Sequence, residues 1–174
     1  MSRSTTTRPT RRSNAASALL AACTLAACAG YGPGDLTPGR PEADVRARMG
    51  EPTTQARLPD GGTRLDYARG PYGKHTYRVE FDASGRVRRI DQLLSERSFE
   101  ALPLGIGAAD VLDRLGPPSE RRGGWRGLGE VWSYRFEDWF SPCRWFQVWL
   151  VEGRVREAGY STDPVCEEPR VPND

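Results

Sequence analysis

The sequence predicts an α+β fold: two tandem α-β-β-β units, each with a short helix packed on antiparallel sheet in a two-layer sandwich. Three observations carry that expectation. A helix-and-stop phrase is written twice, polar–apolar alternation follows each copy, and the same Gly-Arg-Val turn closes both. The second phrase, PLGIGAADVLDRLGPP at 103–118, lies on the first, PGRPEADVRARMGEP at 38–52, after a slide of about 66 residues, a repeat-scale period. Gly39 then meets Gly105, Val45 meets Val111, Gly50 meets Gly116 and Pro52 meets Pro118.

In the first unit, 41–94, Pro41 suits a first helical position because its missing N–H is not needed there. Val45 and Met49, four apart, form one apolar stripe. Gly50 fits a left-handed position just past the helix, and Pro52 cannot continue it. The turn residues PDGG at 59–62 join two β-compatible runs into a hairpin. The stretch HTYRVEFD at 75–82 puts Tyr77, Val79 and Phe81 on one face and Arg78, Glu80 and Asp82 on the other, the mark of a half-buried strand. A turn at 83–85 leads to a return strand at 86–94, and 95–103 reads as a link. The second unit, 104–166, follows the plan: helix 108–115, a Gly-rich turn at 123–129, then strands at 130–137, 143–151 and 155–161. Residues 167–174 read as a polar, Pro-bearing tail.

The chain has 174 residues, 37% hydrophobic and 28% charged, enough for one ordinary domain or two very small ones. Its formal charge of +2 misleads, because Arg3, Arg8, Arg11 and Arg12 sit in a leader without acids. Taking those four from 25 basic residues leaves 21 against 23 acidic, a net of −2, which gives no electrostatic case for nucleic acid. Residues 1–27 read as a signal peptide: a polar Arg-bearing start, then a small and apolar run too short to span a membrane permanently. That run ends Leu25-Ala26-Ala27-Cys28, which looks like a lipobox and makes Cys28 the expected site of acylation; Cys23, after Leu20-Ala21-Ala22, is the alternative. A plain signal or an organelle transit peptide are the other readings. Residues 28–40 form a Gly- and Pro-rich tether reaching at most ~35 Å. Ala29, not Asp, follows the Cys, which favours the outer membrane.

The residues offer little for catalysis, metal or cofactor. The one histidine, His75, has no second His or spare mature thiol beside it and reads as a surface residue. No Gly-rich loop follows a strand and opens a helix. Cys143 and Cys166 flank one hairpin and are expected to form a disulfide in an oxidising compartment, free buried thiols being the alternative. All five tryptophans lie between Trp125 and Trp149. Neighbours in a strand point to opposite faces, so Trp145 and Phe146 cannot both lie in the core of a one-sided sheet. Trp139, Phe140, Trp145 and Trp149 are therefore candidate partner-binding aromatics, against the alternative of a core filled with large rings.

The small-x-Gly, short helix, Leu/Met-Gly-x-Pro and Gly-Arg-Val pattern behind a lipobox resembles the SmpA/OmlA (BamE-like) family of outer-membrane lipoproteins. The matching residues are Gly39, Val45, Met49, Gly50, Pro52 and Gly85, then Gly105, Val111, Leu115, Gly116, Pro118 and Gly153. That resemblance implies a non-enzymatic, lipid-anchored protein facing the periplasm and binding envelope proteins, in particular the β-barrel assembly machine. The family's unit is single, whereas two in tandem are similar to the β-lactamase inhibitor protein. This implies the alternative, a tethered binder or inhibitor of a periplasmic enzyme. Neither implies a cofactor, nucleic acid or small-molecule substrate.

Overall fold

The computed structural model describes residues 30–166 apart from Trp139 and Pro142. The leader with Cys23 and Cys28, the tail at 167–174 and the candidate Trp139 lie outside the described residues.

The first unit runs α1 (Glu42–Met49), β1 (Thr54–Arg57), β2 (Thr63–Ala68), β3 (Thr76–Phe81) and β4 (Val87–Gln92). After α2 (Glu96–Glu100) the second runs α3 (Ala108–Leu115), β5 (Glu120–Gly123), β6 (Glu130–Arg135), β7 (Arg144–Val151) and β8 (Arg154–Thr162). The class is α+β, with two tandem units. Each sheet is an antiparallel meander of four strands in chain order, the second with one strand more than the three read at 130–137, 143–151 and 155–161, and the two sheets are separate. The strand that sequence missed in the second unit is β5, Glu-Arg-Arg-Gly, which is wholly exposed and carries no alternation.

The units match down to single hydrogen bonds. Gly39 N–H donates to the Val87 carbonyl at 2.7 Å, as Gly105 does to Val155. The Arg86 guanidinium donates to the Gly39 carbonyl at 3.0 Å, and Arg154 to Gly105. The arginine of each Gly-Arg-Val turn thus ties the turn to the entry of its own helix. Both sheets also shift register at the same place, between Glu80 and Phe81 and between Trp149 and Leu150.

Helix α1 starts one residue later than expected: Pro41 is the extended residue before it and bridges to Arg86. Gly50 and Gly116 have φ of 80° and 76°, but their ψ of −158° and −169° lies in a region open essentially to glycine alone, beyond the ordinary left-handed cap. A Cβ on Gly116 would also stand 2.8 Å from Thr76 Cγ2.

Val45 and Met49 of α1 pack on Leu65, Tyr67 and Val79 of the first sheet. Val111 and Leu115 of α3 pack on Trp132, Tyr134 and Val148 of the second. The segment 95–103 is more than a link. Ser95 Oγ accepts from Ser98 N–H to start α2, and Phe99 is buried, stacked on Phe146 at 4.3 Å and edge-on to Phe136 at 5.0 Å.

Helix α3 also touches the back of the first sheet. Asp113 takes a 2.5 Å ion pair from Arg64, and Gly116 abuts Thr76. The order of layers is therefore helix, sheet, helix, sheet, with each unit's two-layer sandwich stacked on the other. That stacking explains a buried polar patch: Asp66, Thr76 and Arg78 are all under 9% exposed, and Arg78 grips Asp66 through two bonds of 2.8 and 2.9 Å.

Candidate functional site

The outer face of the second sheet is the surface that α3 does not cover. Strand alternation sends Trp132, Tyr134, Phe146 and Val148 inward to α3. It sends Val131, Ser133 and Arg135 of β6, Trp145, Gln147 and Trp149 of β7, and Glu157, Gly159 and Ser161 of β8 outward, in register across the three strands.

At one end of this face lies a groove of about 270 Å³ lined by Trp125, Val131, Gln147, Trp149, Glu157 and Gly159 among others. Trp125 forms its wall, 70% exposed, with the Arg126 guanidinium 4.1 Å over its ring. Trp149 is half-buried and donates its indole N–H to the Leu128 carbonyl at 3.0 Å. The close tuck of Trp149 needs Gly124, whose added Cβ would come within 2.9 Å of that nitrogen and 1.9 Å of the Leu128 oxygen. Gln147 is held by a 2.9 Å bond to the buried Ser133 hydroxyl. Gly159 lies in mid-strand, and a Cβ there would meet nothing within 4 Å. A strand glycine over open space is where a ligand or another chain can approach the backbone. The volume falls just below the ~300–1,000 Å³ of small-molecule pockets, and an open groove with aromatic walls suits a side chain of a partner better.

At the other end the same face is closed, which corrects one expectation. Trp145 is fully buried although Phe146, on the opposite face, is buried too. The outer face is roofed there by guanidinium groups: Arg135 lies 5.1 Å and Arg122 5.8 Å from the Trp145 ring. The Trp145 indole donates to Ser161 Oγ at 2.8 Å. Arg135 in turn sits 5.4 Å from the Tyr72 ring and donates to the Pro71 carbonyl at 2.6 Å, so a loop of the first unit forms part of the roof. Trp145 is thus a core residue. Of the other candidates Phe140 is 99% exposed, Trp149 lines the groove and Trp139 lies outside the described residues. Trp125 belongs to the site, and its sequence signal is an aromatic within a glycine-rich turn.

Arg135 is anchored by Asp163 through Nε and through a second bond of 3.0 Å from Nη2, with both residues buried. Burial pushes the Asp163 carboxyl up, but the Arg135 hydrogen bonds and the Val165 N–H outweigh it and hold the group below its ordinary value. The Cys143–Cys166 disulfide forms beside this pair, with Cα atoms 5.6 Å apart, and Asp163 N–H donates to the Cys143 carbonyl.

His75 is a second correction. It is not a free surface residue: its side chain is 19% exposed and lies between the tether and the second unit. The Tyr31 hydroxyl is 2.9 Å from Nδ1 and a Glu137 oxygen is 3.2 Å from Nε2, while the ring stacks on Tyr77. Tyr31 and Glu137 are 44 and 62 residues away in sequence, so no local pattern could announce the contact. Burial raises the phenols of Tyr67, to about 12, and Tyr134, whose hydroxyl donates to the Gly116 carbonyl. Among the described residues no group of three or more His, Cys, Asp or Glu is placed to hold a metal ion, and no helix is long and apolar enough to cross a membrane.

No family model matches the chain, and no curated protein matches it. Solved structures similar to parts of it include an osmotically inducible lipoprotein, OsmE, at 27% identity and TM-score 0.32, covering 35% of this chain. A second is a β-lactamase inhibitor protein from Streptococcus mutans at 13% identity and TM-score 0.31, covering 76% of this chain and 89% of its own. A third is an extracellular protein containing an SCP domain from Bacillus anthracis, at 12% identity and TM-score 0.28, covering 72% of this chain. The chain spans 66% of the first structure's length and 44% of the third's.

Proposed function

We propose that the chain is a non-enzymatic lipoprotein, anchored to the outer membrane through Cys28, that faces the periplasm and binds envelope proteins, with β-barrel assembly as the setting. The observation that carries this reading is the open outer face of the second sheet, where Trp125 and Trp149 flank a groove. Aromatics at the centre of a patch are the residues that anchor protein interfaces. The tether supports the anchored part. Gly30, two residues after Cys28, is bonded to the first unit through its N–H to the Arg48 carbonyl at 2.6 Å and its carbonyl to Arg69 at 3.1 Å. A domain held that closely stays beside the membrane to which the acyl chains would fix it, each buried CH₂ contributing about 0.8 kcal/mol. The test has two parts. Intact mass of the mature amino terminus should show acyl groups on Cys28, lost in Cys28→Ser. Co-purification from detergent-solubilised envelope should return assembly-machine subunits, and their absence would sink the barrel-assembly setting. The second reading, a tethered inhibitor of a periplasmic enzyme, is favoured by the pairing of two units with one aromatic face, and recovery of an enzyme in that experiment would establish it.

A further inference from the structure

We propose that the end of the molecule opposite the groove is seated in the bilayer interface, with the Phe140 and Tyr72 rings inserted at the level of the lipid headgroups. This rests on the reading of Cys28 as acylated and says how the anchored domain stands on its membrane.

Both sheets turn at this end. The loop between β2 and β3 carries Tyr72, and the loop between β6 and β7 carries Phe140. Contacts between the units hold the two loops side by side. Arg135, the last residue of β6, donates to the Pro71 carbonyl at 2.6 Å and stands 5.4 Å from the Tyr72 ring. His75 Nε2 lies 3.2 Å from a Glu137 oxygen. The described chain also starts here. The Tyr31 hydroxyl is 2.9 Å from His75 Nδ1 and accepts from the Lys74 N–H at 3.0 Å. Gly30 is bonded to Arg48 and Arg69. Two residues separate Gly30 from Cys28, so their Cα atoms are at most ~7 Å apart. Acyl chains on Cys28 would therefore enter the bilayer beside these loops.

Apolar surface gathers at the same place. Phe140 is 99% exposed, Tyr72 76%, Val165 67% and Tyr31 51%. Val165 belongs to the group because its N–H donates to Asp163, the partner of Arg135. Phe140 is held out by its own loop. Its N–H donates to Asp138 Oδ1 at 2.9 Å, and Asp138 is buried with its other oxygen 2.8 Å from Arg144 Nε. Aromatic rings displayed in this way settle at a membrane–water interface, where the ring leaves water and a phenol hydroxyl stays wet.

The charges around the rings are of both signs. Arg144 pairs with Glu96 at 2.5 Å, and Lys74 neighbours the His75–Glu137 contact. No surplus of one sign draws this end to anionic lipid, so the attraction is burial of the rings. The same charges limit depth, because Glu96, Glu137 and Arg144 are costly to carry below the headgroups. Seating also fixes orientation. Strand β6 rises from Glu130 beside the groove to Arg135 at this end, about 17 Å. The groove with Trp125 is thereby held off the bilayer and open to the periplasm.

The test reconstitutes the full acylated chain in phosphatidylcholine vesicles whose acyl chains carry bromine, a quencher that acts on contact. An environment-sensitive fluorophore is placed by Phe140→Cys, Tyr72→Cys or, at the far end, Leu128→Cys. Emission from the labels at 140 and 72 should fall about two-fold against unbrominated vesicles, and emission at 128 should not change. Phe140→Asp should abolish the quenching at 72 and leave the melting midpoint where it is, since the Phe140 ring is exposed. Adding phosphatidylglycerol should change none of this. In intact cells p-benzoylphenylalanine at Phe140 should form adducts with lipid. Absence of quenching at 140 and 72, quenching that needs the anionic lipid, or adducts with a protein in place of lipid would each overturn the seating. Where intact mass shows acyl groups on Cys28, those results remove the seating alone. Where it shows none and the chain leaves the vesicles, the anchored reading falls with it.

Discussion

Replacing Arg135 by Met should destabilise the protein more than any surface change. Arg135 and Asp163 are both under 9% exposed and joined by two hydrogen bonds. Removing the arginine leaves a buried carboxylate without its partner, strips the Pro71 carbonyl of its 2.6 Å bond and uncovers Trp145. Breaking one side of a buried pair costs about 3–5 kcal/mol. For a chain of this size each kcal/mol shifts the midpoint by about 2–4 °C, so the melting temperature should fall by about 6–20 °C. The assay is thermal and urea unfolding by circular dichroism on the wild type, Arg135→Met, Asp163→Asn and the double variant. The double variant should lose much less than the sum of the singles, with a coupling energy of at least about 1.5 kcal/mol. Coupling below about 0.5 kcal/mol would refute the reasoning, since the two groups would then be independent and the roof over Trp145 incidental.

Three more outcomes follow from named contacts. Asp163 is held below the ordinary aspartate value, so the pair's contribution is complete above about pH 5 and is lost as acid takes the pH down through the lowered value; urea midpoints should fall below about pH 4 in the wild type and far less in Asp163→Asn. Cys143→Ser should lower stability by about 3 kcal/mol for a closure of 23 residues, and reductant should do the same to the wild type and nothing to the variant. Gly50→Ala and Gly116→Ala should each cost about 1–3 kcal/mol for the backbone, and Gly116→Ala should be the worse because its Cβ meets Thr76; equal losses in urea titrations would count against that contact.

The elements that repeat were legible in the sequence, because each rests on a local rule. Glycines at fixed φ end the helices, alternation marks β3 and β6, turn residues mark the hairpin of β1 and β2, and two cysteines flank one hairpin. What escaped was set by distant partners. Strand β5 has no apolar face of its own and exists by pairing with β6. Phe99 sits in a stretch with the composition of a link, and only its stacking on Phe146 of β7 makes it core. The burial of Trp145 was hidden because a sheet with one buried face leaves its other face wet, whereas here the Arg135 guanidinium stands over the indole and covers that second face. His75 needed a tyrosine from the tether and a glutamate from the other unit, neither near it in sequence.

The divergence of the two copies follows from their order in the stack. Both keep the same closure, in which the turn arginine binds the carbonyl before the helix, and both keep the same glycine after it. They differ on the outward side of the sheet. The first must accept α3, and a charged face serves because Arg64 and Arg78 find Asp113 and Asp66 at fixed positions within one chain. Among the described residues no further unit is stacked on the second. Were its outer face only solvent-facing, charged side chains like those of the first sheet would suffice there. Instead that face carries Val131, Gln147 and Trp149, and Trp125 is held over them by a turn in which Gly127 and Gly129 have positive φ and Gly124 has no room for a Cβ. An exposed tryptophan propped on such a turn adds nothing to the core and leaves an aromatic wall free for a partner's side chain, as the proposed binding role requires.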